Sequence, residues 1–138
     1  MRNVPVCWKS ILSWSVVSLY AAAIFFVSSQ PSVLIEEVFI ISGIDKVFHV
    51  LVYATFSLLV YWAIGCSFPN VLLRTRCSFS IIVSVLYGIS DEVHQVFVPM
   101  RHGDPFDVLA DAVGAISAII VLRAIVTSSH VNAAGVEK

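Results

Sequence analysis

Residues 47–66 read VFHVLVYATFSLLVYWAIGC, and this nearly unbroken apolar run decides the fold class. A helix needs about 20 mainly apolar residues to cross a membrane. Three further segments meet that length, at residues 11–29, 77–97 and 106–126. A transmembrane β-barrel does not fit, because its strands alternate apolar and polar residues over about ten positions. The sequence therefore predicts an all-α integral membrane protein, a bundle of four helices.

The composition supports the same class. Of the 138 residues, 59% are hydrophobic and only 12% are charged, against roughly 45–50% and 25% in soluble domains. This length predicts a single membrane domain over residues 1–138, with a flexible cytoplasmic tail over residues 127–138. With a net charge of −1, no basic run and no phosphate-binding glycine loop, neither a nucleic acid nor a nucleotide is expected as a partner.

The distribution of cations predicts how the helices are oriented. Cytoplasmic connections of membrane proteins carry an excess of Lys and Arg. Six cations lie before the first span, between the second and third, or near the end of the chain: Arg2, Lys9, Arg74, Arg76, Arg123 and Lys138. Only Lys46 and Arg101 lie in the other two connections. We therefore expect a multi-pass protein of the inner (cytoplasmic) membrane with both termini in the cytoplasm.

The acidic residues collect on the opposite side of the predicted membrane. Eight of the nine fall on the extracytoplasmic half: Glu36, Glu37, Asp45, Asp91, Glu92, Asp104, Asp107 and Asp111. The histidines His49, His94 and His102 lie on the same side. This clustering of charge predicts a polar site near the outer interface.

Polar residues also recur at a spacing of four along the outer turns of three predicted spans. The stripes are Asp45, His49 and Tyr53; Tyr87, Asp91 and Gln95; and Asp107 and Asp111. Residues four apart share a helix face, and a charge at mid-bilayer costs about 2.5–3.5 kcal/mol. We therefore expect the stripes to face one another or water, with span one as their support. Asp91 and Glu92 are about 100° apart on the helix and are expected to have different partners.

Ordinary structural roles compete with the functional interpretation. Asp45 and Asp104 are also typical helix caps, and Pro105 after Asp104 suits the first helical position. Arg101 could serve only as a structural ion-pair partner of a neighbouring carboxylate. Gly114, between Ala110 and Ala118, fits a close helix-packing face.

Three stretches carry a family resemblance. They are DKVFHVLVY (Asp45 to Tyr53), YGISDEVHQVFVPMR (Tyr87 to Arg101) and DVLADAVGA (Asp107 to Ala115). Together they closely resemble the VanZ-like family, with every motif position filled. The resemblance implies a membrane protein of the bacterial cell envelope, since the family is named for a protein associated with resistance to the glycopeptide teicoplanin.

The stripes and the motifs together define a candidate functional cluster. Its members are Asp45, Lys46, His49, Tyr53, Tyr87, Asp91, Glu92, His94, Gln95, Arg101, Asp107 and Asp111. One hypothesis is a non-enzymatic protein that binds an envelope lipid or a cell-wall precursor. In that case Lys46 and Arg101 would bind a phosphorylated head group.

The alternative hypothesis is a membrane-embedded hydrolase or transferase that acts on a lipid-linked envelope substrate. Histidine can act as a general base, and carboxylates with histidine can hold a divalent cation, the one cofactor that these residues suggest. The predicted metal ligands are His49, Asp91, His94 and Asp111, although no local motif such as H-E-x-x-H is present. A small transporter is a third hypothesis, but the sequence shows neither broken helices nor inverted repeats.

Overall fold

Four α-helices form at the four predicted apolar segments. The computed structural model describes residues 8–31 and 43–135, with side chains described as far as residue 128. The helices are α1 (Trp8–Ser28), α2 (Ile44–Ser67), α3 (Leu73–Gln95) and α4 (Pro105–Gly135). No strand occurs within these two described ranges, so the predicted all-α fold is confirmed. Glu36 and Glu37 lie outside the described residues.

The bounds of α4 confirm one expectation and differ from another. The backbone N–H of Phe106 donates to Asp104 Oδ1 at 2.8 Å, so Asp104 caps the helix as predicted. A loosely ordered tail is expected from Thr127, whereas the helix continues to Gly135. The hydroxyls of Thr127 and Ser128 donate to carbonyl groups four residues earlier, at 2.9 Å each. These bonds satisfy the polar side chains within the helix.

Three of the helices are long and apolar enough to cross a membrane: α1, α2 and residues 105–128 of α4. The predicted third span is also a helix of 23 residues, but its serines and its terminal charged residues lower its hydropathy. Large apolar side chains are turned outward, including Leu19 at 71% exposed, Phe26 at 68% and Ile120 at 61%. Such a surface is unfavourable in water and suits contact with lipid.

Neighbouring helices run antiparallel, and α2 lies between the other three. Ser10 near the start of α1 donates to the carbonyl of Cys66 near the end of α2. Helix α2 packs against α1, α3 and α4, whereas α1 makes no contact with α4 within the described residues. The end of α1, the start of α2, the end of α3 and the start of α4 therefore meet. We call this end, marked by Ser28, Lys46 and Gln95, the polar end.

Small residues allow the helices to pack closely next to the polar end. A Cβ atom at Gly114 would lie 2.2 Å from the carbonyl oxygen of Val50, so only glycine allows this approach of α4 to α2. The close-packing interpretation of Gly114 is confirmed. A Cβ atom at Gly88 of α3 would lie 2.6 Å from Asp111 Oδ2. Glycine at this position therefore lets the carboxylate of α4 sit directly against α3.

Candidate functional site

A cavity of about 700 Å³ lies at the polar end, between α1, α2 and the loop that joins α3 to α4. Its apolar lining comes from both helices and includes Tyr20, Ile24, Val27 and Val52. Its polar lining consists of Ser28, Asp45, Lys46, His49, Tyr53, Asp91, Gln95, Arg101, His102, Asp104 and Asp107. The cavity can therefore contact an apolar group and a charged group of one molecule at the same time.

Lys46 joins α2 to the start of α4. Its Nζ atom lies 3.1 Å from Asp45 Oδ2 and 2.6 Å from Asp104 Oδ2, and it also contacts Asp107 Oδ1. The hydrogen bond from Lys46 lowers the pKa of the Asp104 carboxyl, which lies just before α4. Because three carboxylates surround this one ammonium group, Lys46 mainly neutralises them and is poorly placed to bind a further anion.

His49 is held by a buried carboxylate. Its Nδ1 lies 2.9 Å from Oδ1 of Asp111, a residue that is only 1% exposed. An ionised carboxylate can only accept, so Nδ1 carries a proton, and in the neutral ring the lone pair is on Nε2. Nε2 lies 3.9 Å from Asp107 Oδ2, which is too far for a hydrogen bond. The ring of Tyr53 lies nearly parallel to that of His49, at 4° with centroids 6.5 Å apart.

Two buried acids of α3 share one partner, contrary to the expectation from the sequence. Gln95 Nε2 donates to Asp91 Oδ2 at 3.1 Å and to Glu92 Oε1 at 3.0 Å. This is possible because Gln95 lies three and four residues beyond the acids and its amide has two N–H groups. Ser28 Oγ of α1 donates to Asp91 Oδ1 at 2.6 Å. The backbone N–H of Asp104 donates to Glu92 Oε2 at 2.9 Å.

Arg101 lines the cavity from the loop between α3 and α4. Its Nη1 donates to the carbonyl oxygen of Ser28 at 2.7 Å, which ties this loop to the end of α1. None of the ion pairs between described residues includes Arg101. The structure therefore does not support a purely structural ion-pair role for this residue.

Two candidate residues face α1 and do not line the cavity. His94 Nε2 lies 3.0 Å from Ser29 Oγ, and its ring stacks on Phe25 with centroids 4.4 Å apart. The hydroxyl of Tyr87 donates to the carbonyl of Ala21 at 2.7 Å. His94 and Tyr87 thus join α1 to α3.

The predicted metal ligands are not brought together as a set. His49, Glu92 and Asp107 each offer a ligand atom, and these atoms lie within 4.8 Å of one another. Of the four predicted ligands, only His49 belongs to this group. Asp111 lies behind it as the partner of Nδ1, and His94 lies against α1.

Helix α1 plays a larger part in the site than the sequence predicts. Span one is expected only to support the stripes, whereas α1 forms one wall of the cavity and gives Asp91 a hydrogen bond from Ser28. One signal points to this contribution: the polar run Ser28-Ser29-Gln30 ends an otherwise apolar segment. A polar group at that depth needs a partner in the neighbouring helices.

Together, the fold and the site define a helical membrane protein with a partly charged cavity at one end of its bundle. The chain matches the family described as VanZ/LLP1 over residues 8–126. It therefore belongs to the VanZ-like family, and the resemblance of its three motifs is confirmed. No curated protein and no solved structure matches the chain significantly.

Proposed function

We propose that this VanZ-like protein acts in the bacterial cell envelope by binding an envelope lipid or a lipid-linked cell-wall precursor in the cavity. The mixed lining of the cavity is the observation that carries the proposal. Tyr20, Ile24 and Val52 supply an apolar wall, while Arg101 and His102 supply polar groups at the loop. A lipid presents the same two chemistries, an acyl or prenyl chain next to a polar head group.

Arg101 is the cation in the cavity that best fits a phosphorylated head group. Lys46 is enclosed by three carboxylates, whereas the hydrogen bond of Arg101 goes to a neutral carbonyl. A guanidinium group has five N–H donors in a planar fork that matches two phosphate oxygens. Arg101 therefore holds Ser28 with one N–H and binds the head group with others.

The cation distribution supports an orientation with this cavity at the outer face of the inner membrane. Lys9 lies at the start of α1, and Arg74 and Arg76 lie at the start of α3, which is the end of the bundle opposite the polar end. The bound head group is therefore that of an outer-leaflet lipid.

Binding of a defined lipid to purified protein tests this proposal. Native mass spectrometry would compare the protein in micelles that contain phosphatidylglycerol or a polyprenyl phosphate. We expect retained lipid on the wild type and affinity about tenfold lower for Arg101→Gln, a loss of roughly 1.4 kcal/mol. The control is Arg74→Gln. Arg74 lies at the start of α3, at the other end of the bundle, so this variant should bind like the wild type. Equal binding by wild type and Arg101→Gln would contradict the assignment.

A membrane-embedded hydrolase or transferase is the second candidate function. The observation in its favour is the His49 imidazole, which lines the cavity and is fixed by Asp111 behind it. A base and an orienting carboxylate form a common catalytic pair. His49→Gln should then abolish complementation of a deletion strain while lipid binding persists. A pure binding protein would lose neither property or both together.

A further inference from the structure

We propose that His49, Glu92 and Asp107 bind a divalent transition-metal ion, with Asp111 as a positioning residue for His49. The three ligand residues come from three helices, α2, α3 and α4, and their ligand atoms lie within 4.8 Å of one another. Metal bonds to nitrogen and oxygen of about 2.0–2.2 Å place tetrahedral ligands about 3.5 Å apart. Small side-chain adjustments are enough to reach that geometry.

The hydrogen bond to Asp111 prepares His49 for this role. When Asp111 accepts from Nδ1, the neutral ring of His49 has its lone pair on Nε2, the atom that lies 3.9 Å from Asp107 Oδ2. That distance is too long for a hydrogen bond and close to the separation of two ligands on one metal ion. Metal-binding histidines commonly donate their other ring N–H to a carboxylate, which fixes the tautomer and the ring orientation.

Both carboxylates keep acceptor sites for a metal. Asp107 uses Oδ1 for Lys46, and its Oδ2 lies 3.9 Å from His49 Nε2. Glu92 accepts one hydrogen bond on each oxygen, from Gln95 and from the backbone of Asp104. A carboxylate offers about four lone-pair sites, so these bonds orient Glu92 without occupying it fully.

A second observation points to a ligand at the same place. The hydroxyl of Tyr53 has no hydrogen-bond partner among the described residues, although Tyr53 is only 1% exposed. Tyr53 lines the cavity with His49 and Asp107, and its hydroxyl interacts electrostatically with the carboxylates of Asp91, Asp111 and Glu92. Buried hydroxyls nearly always have a partner. A water molecule or a head-group oxygen bound to the metal ion supplies one.

The ligand types select the class of metal. Magnesium and calcium favour sites made of oxygen alone, whereas imidazole favours zinc and its neighbours in the first transition series. One imidazole with two carboxylates therefore fits Zn²⁺, and three protein ligands leave a position open on the ion. The double charge also offsets Glu92 and Asp107, which lowers the cost of placing both acids near the bilayer.

Metal analysis of the full-length protein in detergent tests the site. Protein stripped with a chelator, loaded with ZnCl₂ and desalted should retain about one zinc per chain. Glu92→Gln and Asp107→Asn should fall to background, because each removes a charged ligand and keeps the shape of the side chain. The matched control is His94→Gln, a histidine at the same end of the bundle that contacts Ser29, and it should retain zinc like the wild type.

The positioning role of Asp111 has its own measurement. Asp111→Asn should weaken zinc binding about 10- to 100-fold, as for other second-layer partners, while zinc still binds at high concentration. Helix content by circular dichroism and a single gel-filtration peak show that each variant is folded. The wild type gives a readout that needs no variant, since Zn²⁺ should raise its Tm and Mg²⁺ should not.

Wild-type protein that retains no zinc and shows no Tm increase would overturn the site. Equal zinc loss in His94→Gln and in folded Glu92→Gln would overturn it as well. The inference does not depend on lipid binding, because zinc retention is measured without added lipid. A protein that keeps zinc but fails to retain lipid contradicts only the proposed function.

Discussion

The two ends of the bundle join the same helices with different chemistry. At the end opposite the polar end, no ion pair joins the described residues, and Trp14 Nε1 donates to Ser67 Oγ at 2.9 Å. Arg76 Nε donates to the carbonyl of Tyr61 at 2.8 Å, and its guanidinium lies 3.8 Å from the centre of the Tyr61 ring. At the polar end the contacts join charged groups, such as Lys46 with Asp107.

This difference separates what the fold requires from what the site requires. Asp91, Glu92 and Asp111 are each no more than 5% exposed, and burying ionised groups costs free energy that ion pairs rarely recover in full. The opposite end joins these helices without an ion pair between described residues. The buried acids of the polar end therefore support the ligand proposed above.

The strongest test of this comparison exchanges charge for a neutral group of the same shape. Asp91→Asn and Asp111→Asn should abolish complementation of a deletion strain while the protein still accumulates in the membrane. The readouts are envelope lipid profile, antibiotic sensitivity and membrane abundance. Glu36→Gln, outside the described residues, should be nearly silent, because Glu36 belongs neither to the polar stripes nor to the candidate cluster.

Two outcomes would break the comparison. Full complementation by both variants at normal abundance would mean that the polar end is not a functional site. Failure of both variants to accumulate would mean that its charges serve the fold, as the contacts of the opposite end do.

The orientation of the two ends is the next prediction, and its readout is all or none. A cysteine at His102, in the loop of the polar end, should react with a membrane-impermeant thiol reagent added outside the cell. A cysteine at Thr75, near the start of α3, should not react. Efficient external labelling at Thr75 would reverse the topology inferred from the cations.

A packing variant between the two ends should have a moderate effect. Gly114→Ala places a methyl group against the carbonyl of Val50, and overpacking of this kind costs about 1–3 kcal/mol. We expect a lower Tm in detergent for Gly114→Ala. The control Ala118→Gly removes a methyl group one turn further along α4 and should cost about 1 kcal/mol or less. A Tm equal to that of the wild type would show that α2 and α4 separate easily.

The smallest expected effect concerns pH. The pKa of Asp104 is lowered from its ordinary value of 3.8, mainly by the hydrogen bond from Lys46. The stabilisation is therefore complete above about pH 4 and is lost as the pH falls through the lower, folded-state pKa. Thermal unfolding of Asp104→Asn should show a slightly weaker acid destabilisation than the wild type. An identical pH dependence would show that this exposed pair contributes nothing measurable.

The helices and the stripes could be predicted because both are periodic along the chain. Apolar runs of membrane length gave the four segments, and a spacing of four placed His49 on the same face as Tyr53. Periodicity does not show how one helix is rotated relative to its neighbour. His94 lies next to the stripe of α3 in the sequence, which predicts a place in the candidate cluster. Its angular offset from the stripe instead turns the ring towards Phe25 of α1.

The contacts of Glu92 also could not be predicted from residue spacing. Its separation of 100° from Asp91 argued against a shared partner, but the long side chain of Gln95 reaches both acids. The length of the side chain and the distance between helices decide such contacts. The residue spacing along one helix gives neither of them. The wall formed by α1 could not be predicted from polar spacing, because most of its lining residues are apolar.

The place of α2 at the centre of the bundle has a consequence for biosynthesis. Helices α1 and α2 leave the ribosome before α3 and α4, already contact each other and can insert as a pair. When α3 follows, Asp91 finds its partners at once, because Ser28 precedes it and Gln95 is in the same helix. His49 must wait for Asp111, which is 62 residues further along the chain. Insertion of α4 is therefore the step that completes the site, and a nascent chain that stops before it carries His49 without its carboxylate partner.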